Sequence, residues 1–388
     1  MSYRIPTAVI GVRVLTSVIL LFLSQTVGNS SRSNDNLQLS SDEDWEIDTS
    51  RLSPHKFKII RGSCYMYTFL VTAPSFAAPG LAKLQEAGCR VFYAKDESEL
   101  ANMMVQKEVD AVISRTITLS GDVIRSAKNL KVISKHGAGY NNVDVDAATE
   151  RGIPVFYTPG ANSQSVAELT IGLAMAVARS IPLHDRTLRN GGWSRSEMGI
   201  QLSGRTMGVV GLGNIGQKVA RLGAAFGMRV LGFDPKGKPM PCEKINSLVE
   251  LLPQAQILTL HCPLNDETRG MIGAVELNLL PKNAIVLNTA RGGIVDEIAL
   301  AEAIKSGRIF GAGIDDFVAE PVPADHPFNA LSRVVMTPHI GASTQEALDI
   351  VSVMSAENAL MFLHKQPFDK QLCVNPSVLR NQITMSAQ

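Results

Sequence analysis

From residue 67 onward, short apolar runs alternate with amphipathic stretches, a pattern that predicts parallel βαβ units. Strands are expected at 67–72, 90–93, 111–113 and 131–134, with helices at 80–87, 98–107 and 122–127 between them. A much longer helical stretch follows at 163–179. It reads on toward 190 with Pro182 as an interruption, because proline removes a helical N–H donor. A second series then begins, with strands at 206–210, 229–233, 257–261, 284–288, 311–315 and 334–337. The last helix is expected at 344–364, where Ala347, Ile350, Val351, Met354, Leu360 and Met361 fall near helical spacing. Two alternating series joined by a long helix predict two α/β domains.

Residues 1–65 break this pattern. An apolar stretch at 14–23 has the length of a signal-peptide core and is short for a bilayer span. Arg4, Arg13 and the lack of any acid before Asp35 fit an organellar presequence equally well. A Ser/Asn/Asp-rich linker follows at 30–53. The plainer reading is an extension without bearing on function, since a chain starting at Met66 would still contain the whole alternating pattern.

Composition narrows the class. Apolar residues make up 45% and charged residues 19%, as in ordinary globular proteins. The 37 basic and 36 acidic residues nearly cancel, which argues against a nucleic-acid partner. Five cysteines (Cys64, Cys89, Cys242, Cys262, Cys373) stand far apart and never at CxxC spacing. Neither a disulfide framework nor a metal site is expected, and the reading is a protein of a reducing compartment, the cytoplasm first. Organellar or secretory targeting by the first 30 residues stays open, and no other membrane association is expected.

The strongest local signal is GLGNIG at 211–216, placed between a strand and a helix, with the next strand ending in Asp234. Gly211 permits a tight turn, Gly213 lets the backbone approach a pyrophosphate, and Gly216 allows close packing of helix on strand. Asp234, 18 residues after Gly216, would accept hydrogen bonds from ribose hydroxyls and repel a 2′-phosphate. This favours NAD over NADP, with Lys236 close enough to soften the preference.

Three later segments end strands of the second series: NTARGGIVDE at 288–297, GIDDFVAEP at 313–321 and TPHIGAST at 337–344. Ligands bind at such ends in open α/β sheets. Reducing a 2-keto acid needs a cation for the carboxylate, a proton donor for the carbonyl oxygen and a partner that keeps the donor protonated. Arg291 offers a planar fork, His339 a proton, and Glu320 an acidic neighbour that favours the imidazolium and fixes its tautomer.

With these segments and HCPLNDETRG at 261–270, the sequence resembles the D-isomer-specific 2-hydroxyacid dehydrogenases from about residue 67 to 365, and most of all their 3-phosphoglycerate dehydrogenase branch. The resemblance implies catalytic roles for Arg291, Glu320 and His339. It implies cofactor contacts from Gly211, Gly213, Asn214, Ile215, Gly216, Asp234, Cys262, Thr289, Asp315, His339 and Gly341, with Asp315 near the nicotinamide carboxamide. The loop KHGAGY at 135–140 resembles the family's substrate loop, in which the N–H groups of Ala138 and Gly139 would grip a carboxylate.

The implied architecture is α/β, two Rossmann-like doubly wound parallel-sheet domains. A discontinuous substrate domain (66–162 and 344–388) would flank an NAD-binding domain (163–343), and a homodimer would form around the long helix. Two departures stand out. Asn214 occupies the place of the branch's usual Arg, and the branch's regulatory C-terminal domain does not follow the last helix, so allosteric control by an amino acid is not expected.

For the substrate, Arg115, Lys135 and Arg195 match positions where the branch carries cations facing a phosphate. Lys135 stands in place of an Arg. The expectation is a small 2-hydroxy or 2-keto acid, 3-phosphoglycerate or 3-phosphohydroxypyruvate first, which implies a role in serine biosynthesis. A hydroxypyruvate or glyoxylate reductase is the alternative. From another class, an NAD(H)-responsive binding module of the co-repressor type keeps the same residues. Formate dehydrogenases of this fold lack an acid partner for the His, so Glu320 argues against them.

Overall fold

The computed structural model describes residues 66–236 and 242–379, so the expectations for residues 1–65 lie outside the described residues. Two parallel sheets organise the chain. In the first, β1 (Thr68–Val71), β2 (Arg90–Tyr93), β3 (Ala111–Ser114), β4 (Val132–Lys135) and β5 (Val155–Phe156) stand in the order β2-β1-β3-β4-β5. β3 and β4 are buried along their whole length, as central strands covered by helices on both faces must be. The helices between them are α1 (Ala78–Glu86), α2 (Glu97–Gln106), α3 (Gly121–Ser126) and α4 (Val145–Glu150). α2 starts where its capping residue dictates, with the Asp96 side chain accepting from the Glu99 N–H at 2.8 Å.

The long helical stretch is two helices, α5 (Ser163–Ala178) and α6 (Ile181–Arg189), bent by 63°. Ser180 takes a left-handed conformation (φ 48°) and Pro182 enters the first turn of α6, where its missing N–H costs nothing. α5 packs on the second sheet, burying Thr170, Ile171, Leu173 and Ala174. That sheet comprises β6 (Thr206–Val210), β7 (Arg229–Phe233), β8 (Glu243–Lys244), β9 (Ile257–Leu260), β10 (Ala284–Asn288), β11 (Ile309–Ile314) and β12 (Val334–Met336). Its order is β12-β11-β10-β9-β6-β7-β8, covered by α7 (Asn214–Ala225), α8 (Leu248–Leu251), α9 (Ala274–Leu279) and α10 (Glu297–Lys305). β5 and β8, two residues each, are too short for an alternation pattern to reveal.

The final helix, α11 (Gln345–Leu363), returns to the first sheet, packing on α1 and β4. Thr344 caps it, accepting from the Ala347 N–H at 3.2 Å. Ser352 Oγ accepts from the Gly80 N–H at 3.1 Å, and a Cβ at Gly80 would lie 2.6 Å from the Ser352 Cβ. The layer around the first sheet is therefore built from two separate stretches of chain. Among the described residues, no single helix is long and apolar enough to cross a membrane, and Cys89, Cys242, Cys262 and Cys373 are free thiols. Cys64 lies outside them.

Candidate active site

Strand order in the second sheet reverses between β6 and β9, and the glycine turn sits at that switch point. Gly211 has φ 86°, and a Cβ on it would lie 2.7 Å from the carbonyl of His261. A Cβ on Gly216 would collide with the Gly211 carbonyl, so the helix start can approach the strand only without one. Gly213, at the N-terminus of α7, has nothing within 4 Å of its Cβ direction, which leaves an open backbone face for a phosphate group. Asn214 turns its amide toward Gly160, and Ile215 packs against the core under α5 and α7.

Asp234 closes the turn from the end of β7. Its carboxylate accepts from the N–H groups of Leu212 and Lys236, both at 2.8 Å. These bonds hold the carboxylate at the place where a ribose would meet the fingerprint. Cys262 follows β9 beside Gly211, and burial pushes its thiol up to about 11, so it is a neutral wall residue. Thr289 follows β10 and shares a 2.8 Å hydrogen bond with Thr170 of α5. The open face at Gly213, the helix terminus and the oriented Asp234 carboxylate together fit a dinucleotide.

The residues that the sequence reads as catalytic follow β10, β11 and β12. His339 Nδ1 lies 3.1 Å from Glu320 Oε2 and 3.4 Å from Asp316 Oδ1. A proton on Nδ1 serves these carboxylates and leaves Nε2 for another partner. Asp316 Oδ1 also lies 3.7 Å from Arg291 Nη1. Burial pushes the Asp316 carboxyl up to about 6, opposed by His339 and Arg291 and reinforced by Asp315 and Glu320. Asp316, Glu320 and His339 present polar atoms within 4.8 Å of one another. With Arg291 already beside Asp316, this geometry fits acid–base chemistry better than a metal site.

His339 itself takes a left-handed backbone (φ 51°), a conformation that persists only where its surroundings enforce it. Asp315 does so. Its carbonyl accepts the His339 N–H at 2.9 Å, and its carboxylate accepts from Thr337 Oγ1 at 2.7 Å and from the N–H groups of Ile340 and Gly341 at 2.8 and 2.9 Å. The sequence pointed to Asp315 as a cofactor contact. The structure adds that both of its carboxylate oxygens hold the loop bearing His339.

The first sheet presents Arg115 after β3 and Lys135 at the end of β4, beside that sheet's own reversal between β1 and β3. Gly139 in the loop beyond β4 meets Arg291, whose Nη2 occupies the space a Cβ would take. Ala138 precedes it, half-buried. Lys135 is 6% exposed and donates to the Arg115 carbonyl at 2.6 Å. Burial, with Arg291 and Arg115 adding, lowers its ammonium from 10.5 to about 7. Its neighbour His136 stacks edge-on with Phe76 at 5.8 Å, and burial lowers it to about 3.

Among the described residues, Arg195 shows no hydrogen bond or ion pair to this cluster. It lies in an exposed segment, its guanidinium 5.6 Å from the ring of Trp193. Glu197, two residues on, pairs at 3.2 Å with Arg333, which precedes β12, whereas His339 follows that strand. The segment is thus anchored at the opposite end of the strand from the loop bearing His339.

Residues 171–341 match the model of the D-isomer specific 2-hydroxyacid dehydrogenase NAD-binding domain. A D-3-phosphoglycerate dehydrogenase of Methanocaldococcus jannaschii is 42% identical over 306 residues, covering 75% of this chain and 56% of that protein. A hydroxypyruvate reductase of Thermotoga maritima is 39% identical over 290 residues, covering 71% of this chain and 94% of the relative. The chain belongs to the D-isomer-specific 2-hydroxyacid dehydrogenase family. It spans about half the length of the curated phosphoglycerate dehydrogenases it matches, 56% of the M. jannaschii protein. The crystal structure of a Thermus thermophilus protein superposes with a TM-score of 0.72 at 37% identity, covering 77% of this dehydrogenase chain and 97% of that one.

Three residues of this dehydrogenase site escaped the sequence reading: Asp316, His136 and His261. Asp316 stands beside Asp315 in sequence and carries no motif signal of its own. His261 is half-buried after β9, its Nε2 2.9 Å from Thr259 Oγ1, and desolvation lowers it to about 3. Desolvation shifts all three, Asp316 buried and His136 and His261 half-buried, and it is decided by tertiary packing.

Proposed function

We propose that the protein is an NAD-dependent dehydrogenase interconverting a D-2-hydroxy acid and its 2-keto acid. The pair we favour is 3-phosphoglycerate and 3-phosphohydroxypyruvate, which would place it in serine biosynthesis. The observation that carries the reading is the meeting of Arg291 with Gly139 of the loop after β4, with Asp316 between Arg291 and the Glu320–His339 pair.

NAD(H), when bound at the Gly211 turn, supplies or accepts the hydride at C2 of the substrate. The backbone of Gly213, Asn214 and Ile215 at the α7 N-terminus would hold its phosphates, and Asp234 its ribose hydroxyls. Cys262, Thr289, Asp315 and Gly341 would line the rest of its groove. Arg291 and the N–H groups of Ala138 and Gly139 would grip the carboxylate and orient the carbonyl. In reduction, His339 gives the proton on Nε2 to the carbonyl oxygen; in oxidation, it takes the hydroxyl proton back. Glu320 and the held tautomer keep Nε2 aimed at that oxygen throughout.

Arg115 and Lys135 are the cations for a substrate phosphate. A second reading, reduction of hydroxypyruvate or glyoxylate, is favoured by the placement of Arg195 and by the bond from Lys135 to the Arg115 carbonyl. The exposed apolar side chains Ile181, Leu188, Trp193 and Met198 suit a second copy of the chain, hence a homodimer, and the free cysteines suit a reducing compartment, the cytoplasm first.

The test is NADH consumption by the full chain with 3-phosphohydroxypyruvate, hydroxypyruvate and glyoxylate side by side. A kcat/KM preference for the phosphorylated acid that Arg115→Ala abolishes supports the phosphate reading. Preference for the small acids supports the second. NADH binding without turnover of any would overturn both, leaving an NAD(H)-responsive binding module.

A further inference from the structure

The acid set contains one carboxylate more than the chemistry above uses. Glu320 is sufficient to fix the tautomer of His339, yet Asp316 lies almost as near Nδ1, 3.4 Å against 3.1 Å. The two carboxylates differ in surroundings. The Glu320 side chain is 39% exposed and receives the Phe317 N–H at 3.1 Å. The Asp316 side chain is 5% exposed, and its two cationic contacts are His339 and, at 3.7 Å, Arg291. A buried carboxylate costs stability unless ion-paired, so its place between these two groups calls for a role.

We propose that Asp316 is a positioning residue that ties Arg291 to His339, so that the carboxylate clamp and the proton donor are held as one unit. The inference rests on the dehydrogenase reading. The two functional groups arrive on different connections, Arg291 after β10 and His339 after β12, and the chain between them is long. Asp316, after β11, stands on the strand between those two in the sheet. One oxygen, Oδ1, makes both approaches, so a shift of either cation is felt by the other.

Charge makes the role distinguishable from packing. As a carboxylate, Asp316 favours the protonated imidazole and opposes drift of the guanidinium. Four groups face it: His339 and Arg291 favour its anion, while Asp315 and Glu320 disfavour it, as does burial. These interactions form one coupled set, so a change at Asp316 is read at its partners.

The experiment compares Asp316→Asn and Asp316→Leu with the wild-type full chain. For keto-acid reduction, the alkaline limb of the kcat/KM profile reports loss of the His339 proton. In both variants this limb should move to lower pH, by about 0.5 or more, because the supporting charge is gone. KM for the keto acid should rise several-fold, while NADH affinity and the melting temperature of the Asn variant stay near wild type. A profile of Asp316→Asn that superposes on wild type, with changes confined to the Leu variant, would reduce Asp316 to packing and overturn the proposal.

A readout independent of turnover separates this from failure of the dehydrogenase reading. In NMR of labelled histidines, with the His339 signal assigned by His339→Gln, its protonation midpoint should also fall in Asp316→Asn. An unmoved midpoint overturns the proposal even in an active enzyme. A moved midpoint in a chain that turns over no keto acid upholds the coupling and sinks the substrate reading alone.

Discussion

Arg291 packs against Gly139 so closely that a Cβ on the glycine would collide with its Nη2 atom. The contact joins a residue after β10 of the second sheet to the loop after β4 of the first, where the proposed function would hold the substrate carboxylate. Gly139→Ala should therefore displace the guanidinium and lower kcat/KM for keto acids by about 10²-fold, the usual effect of a small misplacement. NADH affinity should be unchanged. Gly172 of α5, where a Cβ meets nothing within 4 Å, is the control: Gly172→Ala should keep full activity. Equal losses in both variants would show that the effect is not local.

In the proposed reaction, His339 would hold the proton that moves. His339→Ala should reduce kcat by roughly 10²–10⁴-fold, with NADH binding by fluorescence titration intact. Loss of cofactor affinity with kcat preserved would mean that the roles have been misassigned.

Asp234 anchors the turn through Leu212, and in the proposed cofactor site the same carboxylate would face the ribose. Asp234→Ala should weaken NADH binding by about 10-fold or more and raise NADPH binding relative to it. Because the Leu212 bond is also lost, some weakening should extend to NADPH. Unchanged NADH affinity would place the ribose elsewhere.

Lys135 makes stability depend on pH in a specific direction. Its ammonium is lowered from 10.5 to about 7, so between those values the unfolded chain holds a proton that the folded chain lacks. Stability contributed by this site therefore rises with pH across that window. At lower pH the buried ammonium carries its full cost. Lys135→Met should stabilise the fold below pH 7 by up to roughly 5 kcal/mol, and the gain should shrink as pH approaches 10.5. Thermal melts of both proteins across this range provide the check, and a gain that grows with pH would contradict it.

The sequence by itself determined what depends on neighbours along the chain. Alternation of apolar runs set the two series of strands, and Thr344 and the residues after it marked the start of the last helix. The glycine turn was legible because a strand, three glycines and a helix follow in immediate succession. Arg291, Glu320 and His339 were legible as candidates because each lies on the segment after a strand of a parallel sheet, and such strand ends gather on one edge. Tertiary structure alone decided which charges meet. Arg115 and Lys135 converge with Arg291, whereas Arg195 is carried off by a segment anchored through Glu197 and Arg333. It also decided the state of those charges. Desolvation comes from side chains far away in sequence, so neither the weakened ammonium of Lys135 nor the buried carboxylate of Asp316 has any signature in the local pattern.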